Sequence, residues 1–382
     1  MATPSAEGPT AKAPTAKARA GRDPFFDNAK FLAILLVVAG HAVEDLRDVP
    51  EVRASYTLLY MFHMPVFIML TGHLSRRFTF SGGKARKLIS GLAAPYVVFE
   101  ILYSVYFWSV SGGKPLEITL LRSSYVMWFL LALFFWRLST PVWQQIRWPL
   151  GVAMGISLLS YMTVLPKELT LHRLLGLLPF YVLGLMLRPE HFEPLKTARA
   201  RVAGALTLAA ALALMATAGR EMPNSWIYWV DGNEALGLTN VEGTIMRTGM
   251  LVAGAVLAFA FLTLVPARRT WFTPLGATTL YAYLLHGFGI QALRKAGFYD
   301  DVESLHSIAG AAAVAVAAAV AATLLCGRPA VRVTRWLVEP RVDWMFTGLR
   351  NPVSVPRPRQ GRPARDAEPA REDQREAAEL KR

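Results

Sequence analysis

Ten apolar runs follow one another along the chain, at approximately 28–45, 55–75, 88–110, 118–138, 148–165, 171–188, 201–219, 246–266, 272–292 and 306–326. Most approach the ~20 residues that a helix needs to cross a ~30 Å hydrocarbon layer. In lipid a helix satisfies its own backbone N–H and C=O groups, so helices are the economical form for such runs. The fourth, fifth and sixth are short or interrupted, and the tenth, AGAAAVAVAAAVAA, suits close helix packing. The fold class expected is therefore all-α and integral to the membrane: a bundle of about ten transmembrane helices with disordered tails.

Composition agrees. Of 382 residues, 53% are hydrophobic and 18% charged, against about 25% charged in a soluble domain. The formal net charge of +14 would suit nucleic acid, but its placement in tails and short loops suits cytoplasmic loops and anionic headgroups instead, so no nucleic-acid partner is expected. The single cysteine, Cys326, excludes an intrachain disulfide. Residues 1–22 lack the apolar core of a signal peptide, so the first run is expected to persist as a helix.

Residues 1–24 and 351–382 are rich in Ala, Pro, charged and small polar residues, and are expected to be disordered. An even number of spans puts both termini on one side, and Lys12, Lys17, Arg19 and Arg22 place that side in the cytoplasm of a multi-pass cell-membrane protein. Residues 25–326 then form the membrane domain. Residues 327–350, with Arg332, Arg335 and Arg341 alternating with apolar positions, read as an interfacial helix broken near Pro340. The 221–245 stretch is the longest outer loop; its Trp226, Tyr228 and Trp229 suit either the interface or a lid over a substrate.

An ionisable side chain inside a span is costly, and so marks a functional position. His41, His63, Glu100 and His286 sit in runs one, two, three and nine, and helical rise puts all four between the midplane and the outer leaflet. His41 can accept a proton from a hydroxyl; Glu44 or Asp45 could orient its ring, or simply face water. His63, Glu100 and Trp128 have packing roles as their alternatives. Lys30 precedes His41 by eleven residues, three turns on the same helix face. It suits an anionic ligand entering from the cytoplasm, or a lysine snorkelling at the helix end. Lys84, Arg86 and Lys87 lie in a basic cytoplasmic loop able to meet phosphates or anionic lipid.

FFDNAKFLAILLVVAGHAVE at 25–44 and LLYMFHMPVFIMLTGHL at 58–74 resemble the opening of the acyltransferase-3 family, which includes membrane O-acetyltransferases of sugars and polysaccharides. Lys30 and His41 match its basic residue, ten intervening positions and histidine; FHMPVF matches its second-helix motif. YVMWFLLALFF, LLPFYVLGLML and LGATTLYAYLLHGF extend the likeness over about residues 25–326. The resemblance implies ten helices, acyl-coenzyme A as donor and an extracytoplasmic hydroxyl as acceptor. His41 would be the catalytic histidine, and Lys30 with the basic residues of 84–87 would meet the coenzyme phosphates. That basic stretch stands further from Pro95 than the family pattern has it.

The resulting expectation is a membrane O-acyltransferase moving an acyl group, acetyl above all, from acyl-CoA to a glycan or other hydroxyl-bearing acceptor. His41, Glu44 and Glu100 are the catalytic candidates; His63, Trp128 and His286 line the pocket. Lys30, Lys84, Arg86 and Lys87 hold the donor, membrane lipids surround the bundle, and no metal is required. The alternative is a proton-coupled transporter using the intramembrane His and Glu as a relay.

Overall fold

A computed structural model describes residues 23–80, 83–113, 115–217 and 222–346. The chain divides into two units, Met1–Arg341 and Val342–Arg382. Of the second, the described part is a single tight turn at Asp343–Met345 with Trp344 exposed. The expectations placed on 1–22 and on 347–382 lie outside the described residues.

The regular elements described in the first unit are helical. Helix α1, Pro24–Ala42, opens on Pro24, and the Asp23 carboxylate accepts from the Phe25 N–H at 2.9 Å, a proline-plus-acid start that satisfies a free donor. Then come α2, Pro50–Ser75; α3, Gly83–Ser109, with a π turn at Ile89–Ala93; α4, Tyr125–Trp143; and the short α5, Pro149–Ser160. Helix α6 is broken into Glu168–Gly176 and Leu178–Met186, which meet at 54°. Helices α7, Ala198–Thr217, α8, Asn240–Leu264, α9, Thr279–Lys295, and α10, Ile308–Leu325, complete the bundle.

The expected count of ten spans is not confirmed by helix length and composition. Among the described residues seven helices are long and apolar enough to cross a membrane, or eight if the bent pair of α6 counts as one span. Helix α5 has 12 residues, ~18 Å of helix, well short of the bilayer core. Helix α9 has 17 residues, and its apolar run is interrupted by Thr279, Tyr281, His286 and Gln291. It is packed inward as a site-bearing helix rather than exposed as a plain lipid-facing span.

Helix α2 is the hub. Its neighbours are α1, the second half of α6, α7 and α8. A Cβ on Gly72 would run into the Tyr181 carbonyl, and one on Gly184 into the Met69 carbonyl, so the two backbones touch where both residues are glycine. At the rim the situation reverses: only 11% of the apolar window of α7 and 22% of that of α10 is buried in the bundle, so both helices present an apolar outer surface.

After α10 comes α11, Arg328–Val338. Val333 and Trp336 are exposed on one side, Arg335 pairs with Glu339 at 3.0 Å, and Glu339 accepts from the Tyr281 hydroxyl at 2.9 Å. The interfacial helix expected over 327–350 thus stops before Pro340, whose ring cannot continue it; residues 347–350 lie outside the described residues.

Candidate active site

Helix α1 ends at Ala42, and the chain turns at once into a 3-10 turn, Glu44–Leu46. Glu44 therefore reaches His41 around a turn rather than along a shared helix face. Its Oε2 lies 3.7 Å from His41 Nδ1. The Tyr60 hydroxyl of α2 is nearer, 3.1 Å from the same nitrogen. Nδ1 thus faces Tyr60 and Glu44, which leaves Nε2 as the nitrogen on the other side of the ring.

Arg294, on the last turn of α9, ties this turn down. It donates to Glu44 Oε2 at 2.9 Å and to Asp45. The Tyr228 hydroxyl reaches Glu44 Oε1 at 3.4 Å, meets the Tyr56 hydroxyl at 2.9 Å and accepts from Arg47 at 2.8 Å. Burial pushes the Glu44 carboxyl upward, but the His41 ring and the Arg294 guanidinium outweigh it and hold the group at about 2. Glu44 is thus a fixed negative charge beside the imidazole, suited to orienting it and to stabilising its cationic form.

These groups face a cavity of about 200 Å³, lined by His41, Glu44, Tyr60, His63, Trp128 and Arg173, among others. Its wall on the α4 side depends on an unusual backbone. Tyr125 has φ +47°, in the left-handed region that a tyrosine rarely adopts. The Ser124 N–H just before it donates to both oxygens of Glu100, at 2.8 and 3.0 Å. That clamp fixes the turn that presents Tyr125 and Trp128 to the cavity; the Tyr125 ring stands 5.4 Å from the His41 ring. The roof comes from the segment after α7. Tyr228 and Trp229 line the cavity, and Trp229, at φ +55°, packs under the buried Arg247, whose guanidinium also stacks 3.8 Å from the Tyr161 ring.

The sequence-predicted residues divide between two ends of the bundle. His41, Glu44, His63 and Trp128 share the cavity. His63 Nδ1 is held on the Leu59 carbonyl at 2.8 Å. Glu100 is fully buried outside the lining of the cavity, and both its oxygens accept from the Ser124 N–H beside the Tyr125 turn. His286 stands with its ring 5.5 Å from that of His41, but lines an adjoining apolar groove between α9 and α10; its Nδ1 is held by the Ala282 carbonyl at 2.9 Å. Asp45, an alternative to Glu44, goes to Arg294.

Lys30 lies eleven residues from His41 along α1, ~16 Å by helical rise, and its ammonium is 2.8 Å from Asp27. Lys84 and Lys87 are exposed and Arg86 is half-buried; Lys84 donates to the Arg77 carbonyl at 2.7 Å. Arg76, Arg77 and Arg188 line an open basin at the same end. His73, stacked 4.7 Å from Phe26 and bonded to the Leu187 carbonyl, joins the start of α1 to this end of α2 and α6. The basic groups are thus gathered on the face opposite His41.

Sequence reading missed Tyr60, Tyr125, Arg173 and Arg294 as site residues. Tyr60 had a signal, lying three positions before His63 on the same helix face. Arg173 and Arg294 looked like ordinary loop charges.

Comparisons with curated proteins and with solved structures find no match. The acyltransferase-3 sequence profile, described as "Acyltransferase domain", matches residues 23–327. That interval begins at the cap of α1 and ends just after α10, taking in the cavity, the Arg294 clamp and the opposite basic face. The chain is accordingly a member of the acyltransferase-3 family.

Proposed function

We propose that this membrane acyltransferase moves an acyl group, acetyl above all, from acyl-CoA to a hydroxyl of a glycan or other extracytoplasmic acceptor. The observation that carries the reading is His41: an imidazole fixed through Nδ1 by Tyr60 and flanked by Glu44, at the edge of an aromatic cavity. In the proposed reaction the acceptor hydroxyl gives its proton to His41 Nε2 as its oxygen attacks the thioester carbonyl. The C–S bond then breaks, and the thiolate of coenzyme A takes the proton back from the imidazolium. Glu44 stabilises that imidazolium in between, and the enclosed setting keeps water from competing.

Lys30, Lys84, Arg86 and Lys87 would meet the coenzyme phosphates on the opposite, cytoplasmic face, with Arg76, Arg77 and Arg188 beside them. The pantetheine arm would then run toward Met64, Pro65 and Leu177, which line the cavity on the side of the bundle interior. A proton-coupled transporter is the less favoured reading, given the acyltransferase family.

Purified protein incubated with labelled acetyl-CoA and a panel of glycans should transfer label in a His41-dependent way. Comparing surface glycans by mass spectrometry with and without the gene identifies the acceptor. Full transfer by His41→Ala would refute the assigned role.

A further inference from the structure

Among the described residues Arg173, in a wall of the cavity, has no carboxylate partner. It sits in the first half of α6, three residues after Thr170, which with Leu169 takes a left-handed backbone. Its Nε donates to the Tyr228 carbonyl at 2.9 Å, and its guanidinium lies 4.8 Å over the Trp128 ring. These contacts fix the plane of the group and use one of its five N–H donors. No carboxylate among the described residues stands within ion-pair distance of it. The carboxylate that shares its cavity, Glu44, is already engaged by Arg294, Tyr228 and His41.

Arg173 is half-buried; partly desolvating a guanidinium beside aromatic rings without a counter-charge is costly, and an anion arriving in the cavity lowers that cost. The donor phosphates do not fit as that anion. Arg188 and the other basic groups of the opposite face are separated from Arg173 by the whole second half of α6. At about 200 Å³, the cavity is below the ~300 Å³ lower end of drug-sized pockets, a size that suits a single ring-sized group. Tyr60, Tyr125, Trp128, Tyr228 and Trp229 offer faces for such a ring.

We propose that the acceptor carries an oxyanion, a carboxylate or phosphate on the same ring as the acylated hydroxyl, and that the Nη edge of Arg173 binds it. This rests on the acyl-transfer reading above, and makes the enzyme selective for acidic or phosphorylated acceptors over neutral ones. The guanidinium fork matches an oxyanion in a bidentate way that a lysine ammonium does not.

Two measurements on the full chain in detergent test it separately from the acyl-transfer reading. The first is binding without donor. Glucuronate or glucose 1-phosphate should raise the melting temperature above a salt control of equal ionic strength, while glucose at the same concentration should not. Arg173→Gln should remove the shift and Arg173→Lys should keep part of it. If neither anion protects the wild type, or if protection persists undiminished in Arg173→Gln, the proposal is overturned. The wild-type comparison decides this even if the Gln variant does not fold.

The second is transfer from acetyl-CoA to p-nitrophenyl glucuronide and to p-nitrophenyl glucoside. The glucuronide should be preferred by roughly tenfold or more in kcat/KM, the scale of a charge-assisted hydrogen bond. Arg173→Gln should erase that preference through KM for the glucuronide. An equal fall in kcat on both acceptors would assign Arg173 to the transition state and overturn the anion-binding role. Absence of transfer to every acceptor would count against the acyl-transfer reading, and the binding arm would still judge Arg173.

Discussion

The two ends of α1 face different problems and solve them differently. At the Ala42 end, His41, Tyr60, Glu44, Arg294, Tyr228 and Tyr56 form a connected set of short contacts in which each polar group has its place fixed by another. At the Pro24 end, Lys84 and Lys87 are exposed, and the Lys84 ammonium rests on a backbone carbonyl. The first arrangement suits chemistry, where a small displacement of a base is costly. The second suits a long, highly charged ligand that supplies its own order when it binds.

The contrast can be broken most directly at His41. His41→Ala should lower kcat/KM for acyl transfer by ~10²–10⁴ while leaving insertion and melting temperature near wild type, measured with labelled acetyl-CoA on purified protein. Next comes Arg294→Met. Freed from its clamp, the Glu44 turn loses its fixed position, and kcat should fall about 10–100-fold, on the scale of one charged hydrogen-bonded contact. If the rate survives, the Ala42 end is less preorganised than its contacts imply.

The other end should respond in KM and in salt. The triple variant Lys84→Gln, Arg86→Gln, Lys87→Gln should raise KM for acetyl-CoA by about tenfold at low ionic strength, and the gap should close as salt is added. A fall confined to kcat would contradict a donor-holding role.

pH separates the regions further. Glu44, held at about 2, stays ionised over the working range. Any stability it contributes is present above its ordinary carboxylate value and is lost only as pH falls toward 2. Between about pH 5 and pH 9, rate profiles of the wild type and of Glu44→Gln should therefore differ in height and not gain or lose a carboxylate limb.

The smallest effect is expected at His306. It contacts the Tyr299 carbonyl at 2.8 Å and Asp48 at 2.8 Å. Both partners are acceptors, so the doubly protonated ring satisfies both, and its pKa is raised above 6.5, by the carbonyl first and Asp48 second. A raised value means the stabilisation is complete below 6.5 and fades as pH climbs through the folded value. The melting-temperature difference between wild type and His306→Gln should be a degree or two near pH 5.5 and vanish near pH 9.

Much of this was legible in the chain itself. Apolar run lengths located the membrane helices, because the cost of bare backbone in lipid leaves few alternatives. His41 and His63 were visible because a titratable ring in an apolar run is conspicuous. Glu100 was equally conspicuous, but the sequence did not show what it holds. Its partner, the Ser124 N–H, lies 24 residues away in a loop, a pairing that helix periodicity does not encode. Tyr125 and Arg173 depend on left-handed turns at Tyr125, Leu169 and Thr170, none of them glycine, so nothing local announced the turn. The count of ten spans goes unconfirmed for a related reason: α5 and α9 are apolar runs in sequence, but as helices one is short and the other is interrupted by polar residues.

Helices α7 and α10 are apolar and touch their neighbours along narrow seams, with most of each helix outside the bundle's core. Their outward positions are constrained by solubility in hydrocarbon rather than by shape. A saturation scan should therefore find leucine, valine, isoleucine and alanine interchangeable there, with intolerance confined to the seam, above all at Gly204, where a Cβ would strike Thr263. The catalytic centre is carried inside a casing whose composition is free to drift, so a lineage can refit the casing to a thicker or thinner membrane while leaving the chemistry alone.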